Sequence, residues 1–249
     1  MTNYEMLLKI NDKAKENIEK LYNSGKMDLM NKCISYTDDL TKWISCCGEF
    51  SSYLLVKEAQ NKCLKSIIMC SQGFYKEAII TLRQFLEHML FAIALSSNDY
   101  KYRLWKIGQC DMSWAQIMDG QNGVFGKEYI HVYAKDVNDE RSMELLTIAK
   151  NVYRECSEFV HGNFEKLSFL TENMNYDDKL MDMYTDYFSS IKYLVSMALF
   201  IRFREVLNDE GNLTLLEPII MDNLGHLSMI FDAKWQNFCV RKIPMPMLV

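Results

Sequence analysis

Apolar residues recur at three- or four-residue steps along most of the chain, the pattern of amphipathic helices. The first predicted helix begins at a capping box, Thr2-x-x-Glu5, and ends near residues 23–25. A second helix is predicted from Met27 to Cys47 and a third from about Tyr53 to Ser71. Gly48 between them either ends the second helix or bends one continuous helix.

The fourth predicted helix, about residues 75–96, is apolar on nearly every side, as expected for a helix at the centre of a bundle. Arg83 and Glu87 interrupt it. Their four-residue spacing permits an ion pair within the helix. Alternatively, both side chains meet the stripe of a later helix that carries Arg154 and His161, inside the bundle.

The pattern breaks into shorter pieces between residues 98 and 126. The pieces lie at about 100–107 and 113–118 and are followed by a loop with Gly120, Gly123 and Gly126. The glycine spacing fits neither dinucleotide-binding nor P-loop motifs, which favours a plain connector. In the first piece, cations alternate with aromatic residues. This alternation is typical of a solvated helix face and also suits stacking on single-stranded nucleic acid; the residues are Tyr100, Lys101, Tyr102, Arg103, Trp105 and Lys106.

Residues 129–137 form either a short helix or an edge strand. A helix opening at Asn138-Asp139-Glu140 is predicted to end at Gly162. The longest helix is predicted over residues 176–208. Closely spaced acids at its start interact favourably with the helix dipole, which explains them better than a metal site does. Pro218 is predicted in the first turn of a last helix. The tail from Lys234 lacks periodicity and is interpreted as an arm that docks on a partner or a neighbouring subunit.

Proline and glycine are scarce: the chain has 3 prolines, all at or beyond Pro218, and 10 glycines in 249 residues. Long helices are therefore favoured over a many-turned β-fold. No linker composition marks a boundary. We predict one all-α domain over residues 1–249, a multi-helix bundle with long antiparallel helices. Its last part, residues 212–249, is predicted to be a C-terminal helix and a docking tail.

The net charge of −5 gives no general attraction to nucleic acid, so any RNA contact needs a local basic patch. The 8 cysteines form no CxxC pair, which indicates reduced thiols rather than a zinc site. No basic-then-apolar leader and no run of about 18 apolar residues is present. We therefore expect a cytoplasmic protein without a membrane span, metal or cofactor.

Residues 151–163 hold the densest set of chemically able side chains. Arg154 and His161 are seven residues apart, which places both on one stripe of a helix together with Ser157 or Glu158, and Asn163 follows the helix end. Apolar residues at 153, 156, 159 and 160 are expected to pack on another stripe. A purely structural interpretation has His161 capping the helix and Arg154 pairing with Glu158.

An arginine followed after four to six residues by a histidine near a helix end resembles the motif of the HEPN superfamily. Here it stands as Arg154-Glu-Cys-Ser-Glu-Phe-Val-His161. The helix with Arg83 and Glu87 also resembles HEPN-like proteins found near phage-defence genes. The resemblance covers roughly residues 58–166 and implies a HEPN-like core at about 50–208. One departure is Glu155, whose charge would repel phosphate.

The resemblance implies metal-independent RNA cleavage. His161 would move protons between the 2′-hydroxyl and the leaving oxygen, and Arg154 would stabilise the phosphorane. Glu158, Ser157, Asn163, Arg83 and Glu87 are candidate supporting residues.

The two motif residues lie about 10 Å apart along the helix axis, and helical side chains lean toward the N-terminus. Arg154 is therefore expected to point away from His161 of its own chain. Two copies related by a two-fold axis form a compact site more easily, which predicts a homodimer.

An inactive helical accessory subunit is the alternative function. It would bind and regulate a nuclease or ATPase in a defence complex. The acidic net charge, the 17 methionines and the aromatic tail suit protein binding.

Overall fold

The protein is described by a computed structural model over residues 2–48, 52–111, 113–164 and 174–225. Those residues form ten α-helices and one short 3-10 helix and contain no strand, which confirms the all-α prediction. The α-helices are α1 (Asn3–Asn23), α2 (Met27–Cys46), α3 (Tyr53–Ser71), α4 (Tyr75–Leu95), α5 (Asp99–Lys106), α6 (Trp114–Ile117), α7 (Lys127–Tyr133), α8 (Asp139–His161), α9 (Asp178–Phe203) and α10 (Glu210–Leu224). The 3-10 helix (Arg204–Asn208) follows α9 directly.

Local signals in the sequence set several helix ends. The Thr2 hydroxyl accepts from the Glu5 N–H at 3.3 Å and the Glu5 carboxylate accepts from the Thr2 N–H at 2.8 Å, the predicted capping box. Gly48 has φ 69° and ends α2 instead of bending it. The ambiguous stretch at 129–137 contains most of α7 and no strand.

The start of the last helix was predicted wrongly. The α10 helix begins at Glu210, where the Asp209 carboxylate accepts from the Asn212 N–H at 2.9 Å, so Pro218 lies inside the helix. The Asp209 cap outweighs the helix-breaking tendency of Gly211. The tail at 226–249 lies outside the described residues, as does most of the stretch between 164 and 174.

The central helix is α4, which packs along α3 and against α8 and α9. Its core residues Phe85, Leu86 and Met89 are fully buried, as its continuous apolar pattern predicted. By length and composition alone, α4 is the one helix in the described part of the chain that could cross a membrane, and most of it is buried inside the bundle. Among the described residues, one continuous hydrophobic cluster extends from Leu21 to Leu224.

Contacts between helix ends define the two ends of the bundle. At one, which we call the Tyr75 end, the Tyr75 hydroxyl accepts from the Asp177 N–H at 3.0 Å, so α4 and α9 start together. At the other, an Arg202 Nη2–H donates to the Ser96 carbonyl at 2.9 Å, where both helices finish. Glu155 of α8 meets Tyr187 near the middle of α9, at 3.5 Å.

The first helix joins the bundle at the Tyr75 end through Asn17, which is completely buried. Its Nδ2 donates to the carbonyls of Gln72, at 2.8 Å, and Met174, at 3.1 Å. Its Oδ1 accepts from the Tyr176 N–H at 3.0 Å. One side chain thus satisfies three backbone groups from two separate segments.

Replacing Asn17 with alanine is expected to lower the free energy of unfolding by about 2 kcal/mol, because three backbone groups lose their partner in a buried place. Urea denaturation followed by circular dichroism measures the change. Asn23→Ala, at an exposed position in the last turn of the same helix, is the control and should change stability by less than about 0.5 kcal/mol. Equal stability of the two variants would contradict the role given to Asn17.

Candidate functional site

The residues of the predicted motif lie on the second half of α8, whose two ends follow from the sequence. The Asn138 side chain accepts from the Arg141 N–H at 2.9 Å and caps the start. Gly162, at φ 69°, ends the helix with its N–H donating to the Glu158 carbonyl. The Asn163 N–H donates to the same carbonyl at 3.1 Å. His161 is therefore the last residue of the helix.

Arg154 and His161 lie on the solvent-facing stripe of α8. The Arg154 side chain is 69% exposed and His161 is exposed as well. The opposite stripe is buried through Val152, Cys156 and Phe159. Val160 was predicted to pack with that stripe but is exposed, because one residue after Phe159 the helix has turned by about 100°.

The structural interpretation predicted that Arg154 pairs with Glu158, and the structure shows a different polar neighbour. An Arg154 Nη2 lies 3.7 Å from Glu155 Oε1 and does not pair with Glu158. The Glu155 carboxylate also accepts from the Tyr187 hydroxyl at 3.5 Å. An exposed pair at this distance contributes little stability, so the arginine stays available to a ligand.

The other candidate positions on α8 are partly occupied by the helix itself. Ser157 Oγ donates to the Tyr153 carbonyl at 2.6 Å, which directs the hydroxyl back along its own helix. Glu158 and Asn163 take part in the helix end through main-chain atoms. These contacts set the shape of the helix end, and Asn163 is exposed there together with Arg154 and His161.

Arg83 and Glu87 form the predicted ion pair, with Arg83 Nη2 3.1 Å from Glu87 Oε1 and both side chains 17% exposed. They meet α8 at Tyr153. The Tyr153 hydroxyl accepts a short hydrogen bond from Arg83 and donates to Glu87 Oε1 at 3.0 Å. Neither Arg83 nor Glu87 pairs with Arg154 or His161, so the alternative in which they meet the motif stripe is not found. Both meet Tyr153 instead, on the packed side of the helix.

Two side chains pack on the Tyr153 ring. The Trp114 ring stacks on it at 4.0 Å between centroids and 11° between planes, and the Arg83 guanidinium lies 4.3 Å from its centroid. Burial raises the pKa of Tyr153 above its ordinary value, and the hydrogen bond from Arg83 opposes this. Four side chains, Trp114, Tyr153, Arg83 and Glu87, thus form one cluster behind Arg154, which we call the Tyr153 cluster.

Sequence reasoning missed Trp114 and Tyr153 as members of this cluster. The sequence pattern places Tyr153 on the apolar stripe. The one signal of a polar contact is its hydroxyl, because a half-buried tyrosine hydroxyl usually has a hydrogen-bond partner. Arg83 Nε is buried without a hydrogen-bond partner, which marks the cluster as incompletely satisfied.

No family model, curated protein or solved structure matches this chain.

The described residues hold no group of three or more histidine, cysteine or acidic side chains placed to bind a metal ion. The acids at the start of α9 have other roles. Asp177 caps the helix, accepting from the Lys179 and Leu180 N–H groups, and Asp182 pairs with Lys26 at 2.7 Å.

The cysteines of the described segments are free thiols. Burial raises the pKa of Cys33 and of Cys47 to about 12, so neither carries a reactive thiolate at neutral pH.

The cations of α5 are partly engaged. Lys101 Nζ donates to Gln116 Oε1 at 2.8 Å, and Arg103 Nε pairs with Asp99 at 2.7 Å. Tyr102 and Trp105 pack against the hydrophobic core instead of standing free for stacking. These contacts favour a solvated helix face over a nucleic-acid surface.

Proposed function

We propose that this chain is a HEPN-like endoribonuclease of a prokaryotic anti-phage defence or toxin system. In this proposal it cleaves RNA without a metal ion at a site that two copies build together. Each site combines Arg154 of one copy with His161 of the other. The observation that carries the proposal is the placement of both side chains on the solvent-facing stripe of α8, which ends at Gly162.

The chemistry needs few protein groups. His161 takes the proton of the 2′-hydroxyl as that oxygen attacks the adjacent phosphorus, and the P–O5′ bond breaks. The same proton passes from the imidazole to the departing 5′-oxygen. The products are a 2′,3′-cyclic phosphate and a 5′-hydroxyl. Arg154 stabilises the negative charge that the phosphorane gains on its non-bridging oxygens.

In this proposal the packed helices α3, α4, α8 and α9 form the HEPN-like core at about residues 50–208. The Tyr75 contact joins the starts of α4 and α9, and the Arg202 contact joins their ends. Glu155 near the end of α8 accepts from Tyr187. Burial raises the pKa of Tyr193, farther along α9, and the Arg141 guanidinium near the start of α8 opposes this. These two contacts support an antiparallel run of α8 and α9. The last turn of α8 therefore points toward the Tyr75 end. The Tyr153 cluster is the support that holds α8, and with it Arg154, against α4.

The experiment is cleavage of single-stranded RNA by the purified chain in EDTA. We expect cleavage in EDTA, products with 2′,3′-cyclic phosphate ends, and no cleavage of the same sequence as DNA, which lacks the attacking hydroxyl. A requirement for added divalent metal, or equal cleavage of the DNA, would contradict the proposed chemistry.

The alternative is a catalytically inactive accessory subunit that binds and regulates a nuclease or ATPase partner in a defence complex. The contact between Arg154 and Glu155 favours it, because a carboxylate beside the arginine weakens attraction to phosphate. Stable co-purification with the product of a neighbouring gene, unaffected by Arg154→Ala and His161→Ala, would support this alternative. If the chain shows that co-purification and does not cleave RNA, the accessory-subunit function replaces the enzyme proposal.

A further inference from the structure

The N-terminal half of α1 exposes an unusual amount of apolar surface. Tyr4 is 70% and Leu7 66% exposed, and Met6, Leu8 and Ile10 are exposed as well. Residues 3–12 are all exposed. Isolated exposed apolar side chains are normal on soluble proteins, but five within seven residues form a continuous patch.

The patch extends a stripe that is buried farther along the same helix. Ala14, Asn17 and Leu21 are buried against the bundle, and Leu7 and Ile10 continue their three- and four-residue spacing beyond it. Asn17 fixes the buried half at the Tyr75 end. The capping box of Thr2 and Glu5 holds the other half helical without help from packing. A preformed helix thus presents its apolar stripe to the outside.

The size of the patch matches one side of a stable dimer. Five large apolar side chains offer on the order of 500 Å² of apolar surface when fully covered. A standard interface buries about 800 Å² on each partner, of which roughly two-thirds is apolar in homodimers. The N-terminal half of α1 therefore offers about as much apolar surface as one partner of a standard homodimer buries.

The charges around the patch suit a second copy better than a membrane. Between residues 3 and 13 lie two acids, Glu5 and Asp12, and two lysines, Lys9 and Lys13. Helices that bind anionic lipid surfaces carry an excess of lysine and arginine on the polar face. A balanced set of charges gives no net repulsion when the same surface meets itself across a two-fold axis.

We propose that residues 3–13 of α1 form the contact of a homodimer, in which the apolar stripes of two copies pack on each other. This inference stands apart from RNA cleavage, since a dimer can form whether or not Arg154 and His161 are catalytic.

The test is the solution mass at about 20 µM chain by sedimentation velocity. We expect the wild type at twice 29.3 kDa and the double variant Leu7→Asp, Ile10→Asp at 29.3 kDa. Lys15→Asp is the control: it changes the charge equally, by −2, at an exposed position of α1 outside residues 3–13, and should stay dimeric. Deletion of residues 2–11 is the second variant, which removes the patch and spares Ala14, Asn17 and Leu21.

Two results would overturn the proposal. One is a wild-type monomer, and the other is a dimer that survives both the double variant and the deletion. A third, association of the wild type but not of the double variant with vesicles of phosphatidylglycerol, would assign the patch to lipid. Because none of these measurements uses RNA, a failed cleavage assay leaves the result on the dimer contact intact.

Discussion

Replacing His161 with alanine is expected to slow RNA cleavage about 10³-fold, because one imidazole serves both proton transfers and each positioned acid or base contributes on the order of 10²–10⁴. Arg154→Ala is expected to slow cleavage about 10²-fold, the typical cost of removing one charge-stabilising donor. The rates are measured under single-turnover conditions in EDTA on a labelled single-stranded RNA. Both side chains are exposed, so neither change should lower the melting temperature noticeably.

The matched control is His131→Ala, at another exposed histidine, on α7. Its cleavage rate should equal that of the wild type. If His161→Ala cleaves as fast as His131→Ala, the catalytic assignment of His161 is wrong and the structural cap remains as its role.

Glu87→Leu is expected to lower the free energy of unfolding by about 2–4 kcal/mol. The Arg83 side chain is only 17% exposed, and its Nε has no hydrogen-bond partner among the described residues. After the substitution, the Tyr153 hydroxyl is the one acceptor that the described part of the chain still offers its guanidinium. Removing one member of a largely buried ion pair strands the other charge in a poorly solvated place. Chemical denaturation of wild type and variant measures the loss.

The double variant Arg83→Met, Glu87→Leu provides the control. Since it strands no charge, it should recover at least half of the stability that Glu87→Leu loses. A double variant that is less stable than Glu87→Leu would show that the pair stabilises the fold outright. RNA cleavage by the double variant also reports whether the Tyr153 cluster matters for the position of Arg154.

Most of the fold follows from local sequence signals. The capping box at Thr2, the glycine ends at Gly48 and Gly162 and the apolar run of α4 each predict an element that the structure contains. The start of α10 was missed because Pro218 was predicted in its first turn, whereas the Asp209 cap begins the helix at Glu210. A side-chain hydrogen bond of this kind decides between two local preferences that composition leaves balanced.

The candidate site was only partly accessible from the sequence. Periodicity places Arg154 and His161 on one outward stripe, as the structure has them. The Tyr153 cluster depends on α4, α6 and α8 meeting, and spacing within one helix carries no information about such a meeting. The same holds for Asn17, whose three backbone partners lie at least 55 residues away in the chain.

The most direct test of the composite site mixes two inactive variants. Arg154→Ala and His161→Ala chains are combined, allowed to exchange subunits, and assayed for RNA cleavage in EDTA. In a mixed dimer one site keeps both wild-type residues and the other keeps neither, so equal mixing should restore about a quarter of the wild-type rate, since half of the dimers are mixed and half of their sites are intact. A mixture as inactive as its two components would contradict a site shared between two copies.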